Sequence, residues 1–116
     1  MIPNRKNFEA KNIKQMKKIL AFIQDNYAQK ITLTDIADAA HVSKSECCRL
    51  FKKVMKQTPV SYLIDYRIQK SIPLLLTKSL NITQIAESVG FGNSSYFSEM
   101  FRRVLHCSPS DYQRTH

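Results

Sequence analysis

Residues 31–62 read ITLTDIADAAHVSKSECCRLFKKVMKQTPVSY, and residues 80–112 read LNITQIAESVGFGNSSYFSEMFRRVLHCSPSDY. The second stretch is a version of the first. Thr34, Ile36, Ala37, Ser45, Phe51, Val54, Pro59 and Tyr62 recur as Thr83, Ile85, Ala86, Ser95, Phe101, Val104, Pro109 and Tyr112. Leu50-Phe51-Lys52-Lys53 returns as Met100-Phe101-Arg102-Arg103. The offset is 49 residues at the start and 50 at the end. It changes where Val42-Ser43-Lys44-Ser45 corresponds to Phe91-Gly92-Asn93-Ser94-Ser95. One extra residue with the pattern intact on both sides marks a loop between two packed elements.

Helix-start signals come in matched pairs. Thr32 with Asp35, and more weakly Asn81 with Gln84, are capping-box patterns. Each precedes a short apolar helix, carried by Leu33, Ile36, Ala37 and Ala40 in one copy and by Ile82, Ile85, Ala86 and Val89 in the other. Ser43 with Glu46 predicts a further capping box opening a helix over about 44–56, and Asn93 caps its counterpart over about 94–105. Thr58-Pro59 and Ser108-Pro109 each place a cap residue before a proline at the first helical turn. They predict a linking helix over about 59–78 and a short final helix. Upstream, Ile13, Met16, Leu20, Ile23 and Tyr27, widened by Ile19 and Phe22, form a helical stripe from about Asn7 to Ala28.

No segment alternates as a strand does. The predicted fold is all-α, with seven helices forming two helix-turn-helix subdomains bridged by a long linking helix. Residues 1–6 are expected to be a tail or linker remnant, 7–58 the first subdomain, 59–78 the linking helix and 79–116 the second subdomain. Pro73 lies inside the linking helix, where it removes a backbone donor and predicts a kink over 69–73, or a break.

The reading of function rests on contrast between the copies. In the first long helix Cys47, Leu50, Phe51, Val54 and Met55 form one face; in the second, Phe97, Met100, Phe101, Val104 and Leu105 do so. These apolar sets are alike. The opposite faces differ: Ser45, Cys48, Arg49 and Lys52 against Ser95, Ser98, Glu99 and Arg102, with Ser94 and Tyr96 at the front. Shared packing with unlike outer faces is expected of two modules that read different half-sites of a duplex. Arg49 can donate two parallel bonds to guanine O6 and N7, Glu99 can accept from a cytosine amine, and Ser45, Ser94 and Ser95 are adaptable partners. Lys44, Lys52, Lys53, Arg102 and Arg103 suit phosphates, as do backbone N–H groups near Thr34, Ser43 and Asn93. A linking helix of about 20 residues is roughly 30 Å long, close to the ~34 Å spacing of major-groove faces on one side of B-DNA. One chain could thus place both long helices in successive major grooves.

Composition agrees. The 116-residue chain carries a formal net charge of +9, which favours a polyanionic partner. The charge is uneven: residues 1–58 hold 12 Lys/Arg and 5 Asp/Glu, residues 59–116 hold 6 and 4. No apolar run has the length of a membrane span. Cys47, Cys48 and Cys107 are an odd set without C-x-x-C spacing, read as reduced thiols of a cytosolic protein. Lys11, Lys14, Lys17 and Lys18 flank the first helical stripe as a solvated face or as phosphate contacts.

The residues carry a family resemblance. Ile85-Ala86-Glu87-Ser88-Val89-Gly90-Phe91, then Ser95-Tyr96-Phe97-Ser98, Phe101-Arg102-Arg103 and Ser108-Pro109-Ser110-Asp111-Tyr112 resemble the signature of AraC/XylS-type transcription regulators, over about residues 10–115. The resemblance implies a bacterial, cytoplasmic and nucleoid-associated regulator that binds double-stranded DNA, with no cofactor. It implies base contacts from Ser45, Cys48 and Arg49 in the first unit and from Ser94, Ser95, Tyr96 and Glu99 in the second. It implies a structural role for Arg67, contact with RNA polymerase, and an upstream sensing or dimerisation domain beyond this chain. Four departures stand out. Lys56 and His106 replace a frequent glycine, so those helix ends are expected to lack the easy left-handed cap. Glu99 stands where basic or polar residues are common, Pro73 is unusual, and Gln113 replaces a frequent arginine. With the uneven charge, they suggest that the first unit supplies most of the affinity and the second trims specificity.

Rival readings have less behind them. Cys47, Cys48, Cys107, His41, His106 and His116 lack the spacing of a structural zinc site, and no residue is assigned to a metal or to catalysis. A redox- or partner-responsive module would use Cys48, with Arg49 beside it lowering the thiol pKa. RNA binding would call for a stacked-aromatic sheet, which the pattern does not predict.

Overall fold

In the computed structural model, residues 5–116 are described, with side chains from Glu9 onward. Of the expected tail, residues 1–4 lie outside the described residues, and residues 5 and 6 already belong to the first helix. The order is α1 (Arg5–Asn26), α2 (Leu33–Ala39), α3 (Lys44–Met55), α4 (Pro59–Thr77), α5 (Ile82–Ser88), α6 (Ser94–Leu105) and α7 (Pro109–Thr115). All seven expected helices are present, with no strand among the described residues.

The chain divides into two compact units. The first holds α1, α2, α3 and the opening of α4 to Tyr62; the second holds residues 27–30, α4 from Leu63, and α5 to α7. In the first unit α1, α2 and α3 pack against one another around Met16, Ile19, Ile23, Ile36, Ala37, Cys47, Leu50 and Phe51, all buried. Each large apolar side chain here contributes about 1.5–3 kcal/mol by leaving water. Two residues of the expected apolar faces are exposed: Ile13 at 56% and Val54 at 52%.

The second unit is built on a more aromatic core. Ile68, Leu75, Ile85, Ala86, Val89, Phe91, Phe97, Met100 and Phe101 form one cluster. Phe91 meets Phe97 at 5.2 Å, Phe97 meets Phe101 at 5.7 Å, and Phe101 meets Tyr112 at 5.6 Å between ring centres. Such tilted and edge contacts add about 0.5–1.5 kcal/mol per pair beyond burial.

The boundaries follow from local chemistry. Both short helices open with complete capping boxes: Thr32 Oγ1 accepts from Asp35 N while Asp35 accepts from Thr32 N, and Asn81 and Gln84 do the same. The second box is therefore as complete as the first, not a weaker version. Both short helices end alike. Val42 N donates to Ala37 O and His41 N to Asp38 O; Phe91 N donates to Ala86 O and Gly90 N to Glu87 O. These are paired Schellman closures, which need a left-handed residue. His41 supplies it at φ 56° and Gly90 at φ 96°.

Two expectations about helix ends are corrected. Lys56 (φ 60°, ψ 23°) and His106 (φ 63°, ψ 22°) do adopt the left-handed cap despite lacking glycine. Their N–H groups donate to Lys52 O and Arg102 O, and satisfying those carbonyls offsets the backbone strain. Pro73 does not break α4, which is helical through it. Pro73 and Gln69 both lie on the exposed face, so the Gln69 carbonyl that loses its helical partner meets water. Nearby, buried Ser71 donates to Ile68 O at 2.6 Å. Gln113 Nε2 donates to Leu75 O at 3.1 Å, so the residue that replaces a frequent arginine satisfies a carbonyl in the last turn of α4.

Candidate nucleic-acid interface

The two long helices of the repeat present unlike outer faces, as expected. On α3, Ser43 is the N-cap, and its Oγ accepts from Glu46 N at 3.1 Å. The expected reciprocal half of that box is absent. The Glu46 carboxylate turns instead to Arg49, whose Nη2 lies 2.6 Å from Oε1 and 2.5 Å from Oε2. The Arg49 side chain is 74% exposed. Its hydrogen bond and charge, together with the charge of Lys11, hold the Glu46 carboxyl below the usual range. Ser45, Lys44, Lys52 and Lys53 are exposed, and Cys48 is half-buried.

Glu46 borders two open grooves of the first unit. One is lined with Asn12, Arg49, Leu50 and Lys53, the other with Lys11, Asn12, Gln15, His41, Val42 and Ser43. The sequence pattern does not point to Asn12, Gln15 or His41 as contact residues. Asn12 and Gln15 sit on α1 between the basic positions, and only the packing of α1 on α3 brings them beside the outer face of α3.

On α6, Asn93 Oδ1 accepts from Tyr96 N at 2.7 Å. Ser94, Ser95, Ser98, Glu99, Arg102 and Arg103 line an open groove of about 600 Å³ together with Ile82, Thr83 and Ser110. The groove thus gathers most of the residues expected of this module. It adds Thr83 from α5 and Ser110 from α7, which no spacing within α6 could have signalled. Glu99 takes Arg103 at 3.4 Å; among the described residues no carboxylate pairs with Arg102. Tyr96, 41% exposed, lies outside the groove and tilts onto Phe91 at 5.6 Å. Ser45, Cys48, Lys44, Lys52, Thr34 and Asn93 line none of these grooves; all but Cys48 lie on open surface.

Arg67 has the structural role expected of it. Its Nε donates to Tyr27 O at 2.7 Å and its Nη2 to Gln29 O at 2.9 Å. Its guanidinium stands 5.8 Å from the Phe91 ring centre, and burial lowers its pKa. The thiols argue against nucleophilic chemistry. Cys47 is buried, and burial, with Cys48 adjacent, pushes its thiol up to about 11. The guanidinium that a reactive Cys48 was expected to use is engaged by Glu46. Among the described residues no group of three or more His, Cys, Asp or Glu could hold a metal ion.

The family model described as a helix-turn-helix domain matches residues 36–115. A protein named as an AraC-like transcription regulator in Streptomyces antibioticus is 37% identical over 82% of this chain and 31% of its own length. The chain belongs to the AraC/XylS family of helix-turn-helix transcription regulators. The uncharacterized HTH-type transcriptional regulator YdeC of Bacillus subtilis is 44% identical over 86% of this chain and 34% of its own length. The C-terminal domain of AraT, a response regulator from Geobacillus stearothermophilus, superposes with a TM-score of 0.83 at 31% identity, covering 88% of this chain and 85% of that one. This AraC/XylS-type chain spans about a third of the length of the curated relatives it matches. Among its described residues no helix is long and apolar enough to cross a membrane.

Proposed function

We propose that this AraC/XylS-type chain reads a double-stranded DNA operator with α3 and α6 in successive major grooves, and so regulates transcription. The observation that carries the reading is the contrast between the two helices: alike on the buried side, unlike on the outward one. Arg49, with Ser45 and Cys48, reads bases for the first unit. Ser94, Ser95, Tyr96 and Glu99 do so for the second. Lys44, Lys52, Lys53, Arg102 and Arg103, with backbone N–H groups near Thr34, Ser43 and Asn93, hold the phosphates. The first unit supplies most of the affinity, because its half of the chain carries most of the net charge. RNA polymerase is the second partner, a sensing or dimerising domain elsewhere in the polypeptide supplies the signal, and the bacterial cytoplasm is the place of action.

Selection of bound sequences from a random duplex library, followed by footprinting of the winner at two salt concentrations, tests this. An asymmetric footprint of about two helical turns is expected. A one-turn footprint would refute the two-groove reading, and weak, strongly salt-dependent binding without enrichment would refute sequence-specific recognition. Arg49→Ala is expected to weaken the winner more than Ser95→Ala. Equal losses with equal salt slopes would remove the division of labour between the units.

A further inference from the structure

We infer that Glu46 is a specificity-determining residue that holds Arg49 closed against DNA and releases it only to guanine. The inference rests on the proposed role of Arg49 as a base reader. A guanidinium reads guanine through two parallel donors, either Nη1 with Nη2 or Nε with Nη2. Nη2 belongs to both pairs. In this structure Nη2 is the atom on Glu46, facing both carboxylate oxygens at 2.6 and 2.5 Å. Arg49 is therefore exposed and charged, yet the nitrogen that both guanine-reading forks share already lies on a carboxylate.

The arrangement follows from how α3 starts. At Thr32 and Asn81 the third helical residue turns back to the N-cap backbone and closes a capping box. At Ser43 it does not: Ser43 holds Glu46 N, and the Glu46 carboxylate is left over for Arg49 one turn along. The second module has no equivalent. Tyr96 stands at the position of Glu46 and Glu99 at that of Arg49, and Glu99 pairs with Arg103 deeper in the helix.

Closed, the pair presents almost no net charge to a passing phosphate. Opening it exposes a carboxylate to the duplex, which only the two guanine bonds repay. Lys11, which shares a groove with Glu46, is the cation positioned to take the released carboxylate. The result is low affinity for DNA that lacks guanine at the Arg49 position.

The test is a double-mutant cycle on the full chain with the selected duplex. Glu46→Gln is expected to tighten binding by about two- to fivefold, the range of an exposed ion pair. The gain is expected to vanish in an Arg49→Ala background, and to be larger when the contacted guanine is replaced by 7-deazaguanine, which lacks N7, because the freed guanidinium then turns to phosphate. Binding to a duplex without that guanine is expected to rise in salt slope. Weaker binding by Glu46→Gln would overturn the inference and make Glu46 a support for Arg49. An equal gain with and without Arg49 would overturn it as bulk charge alone. If Arg49→Ala bound the selected site as tightly as the parent chain, the base-reading role of Arg49 would fall first, and the latch with it. Thermal unfolding of each variant separates these outcomes from misfolding, since a surface pair leaves the midpoint almost unmoved.

Discussion

Gly90→Ala is the substitution that most sharply tests how the second unit is held. Gly90 has φ 96°, and a Cβ there would stand 2.3 Å from Tyr27 O and 2.8 Å from Arg67 Nε. Those two atoms are already hydrogen-bonded at 2.7 Å. A methyl group must push the carbonyl away, and the half-buried guanidinium then loses an acceptor. A side chain in the left-handed region costs about 1–2 kcal/mol, and a lost charge-assisted hydrogen bond about 1.5–3 kcal/mol. The stiffer unfolded chain returns about 0.4–1 kcal/mol. The net expectation is a loss of about 2–4 kcal/mol, a large part of a typical domain's stability. Circular dichroism melts are expected to fall by roughly 8–15 °C. The double variant with Arg67→Met is expected to lose less than the sum of the two single changes, because both remove the same contact. A midpoint within about 2 °C of the parent, or strict additivity, would refute the argument. The equivalent position in the first unit gives the mirror test. His41 makes the same Schellman turn at φ 56°, so His41→Gly is expected to stabilise by several tenths of a kcal/mol.

Four further outcomes follow from the same geometry. Lys56→Gly and His106→Gly are each expected to raise stability by about 0.5–1 kcal/mol in chemical denaturation, since both side chains sit on left-handed caps. Thr32→Ala and Asn81→Ala are each expected to cost about 1 kcal/mol by the same measurement, because each opens a complete capping box. In thiol labelling at pH 8, Cys47 is expected to stay unmodified until the chain unfolds, being buried with a thiol at about 11. Asp65 has its carboxyl pushed up by burial; folding therefore favours its protonated form, and its charge costs stability above both pKa values. Asp65→Asn is expected to raise the melting midpoint at pH 7, with a gain that shrinks as the pH falls through the raised folded-state pKa and is lost below about 4, where the carboxyl is protonated in both states.

The residue pattern determined the seven helices and the outward stripes, because both rest on interactions that are local along the chain. Cap residues bond N–H groups three positions on, and apolar spacing selects a helix face. Hence Thr32, Ser43, Asn81, Asn93 and Ser108 marked helix starts that the structure bears out. The tertiary structure decided what depends on neighbours far away in sequence. It left Ile13 and Val54 uncovered, set Asn12 and Gln15 beside α3, and brought Thr83 and Ser110 into the α6 groove. It also decided a choice that spacing leaves open. Glu46 has the spacing of a capping-box acid and equally that of an i,i+3 partner for Arg49, and both alternatives are compatible with the same helix. Periodicity specifies which face a side chain is on; only the folded arrangement specifies which of several reachable partners it takes.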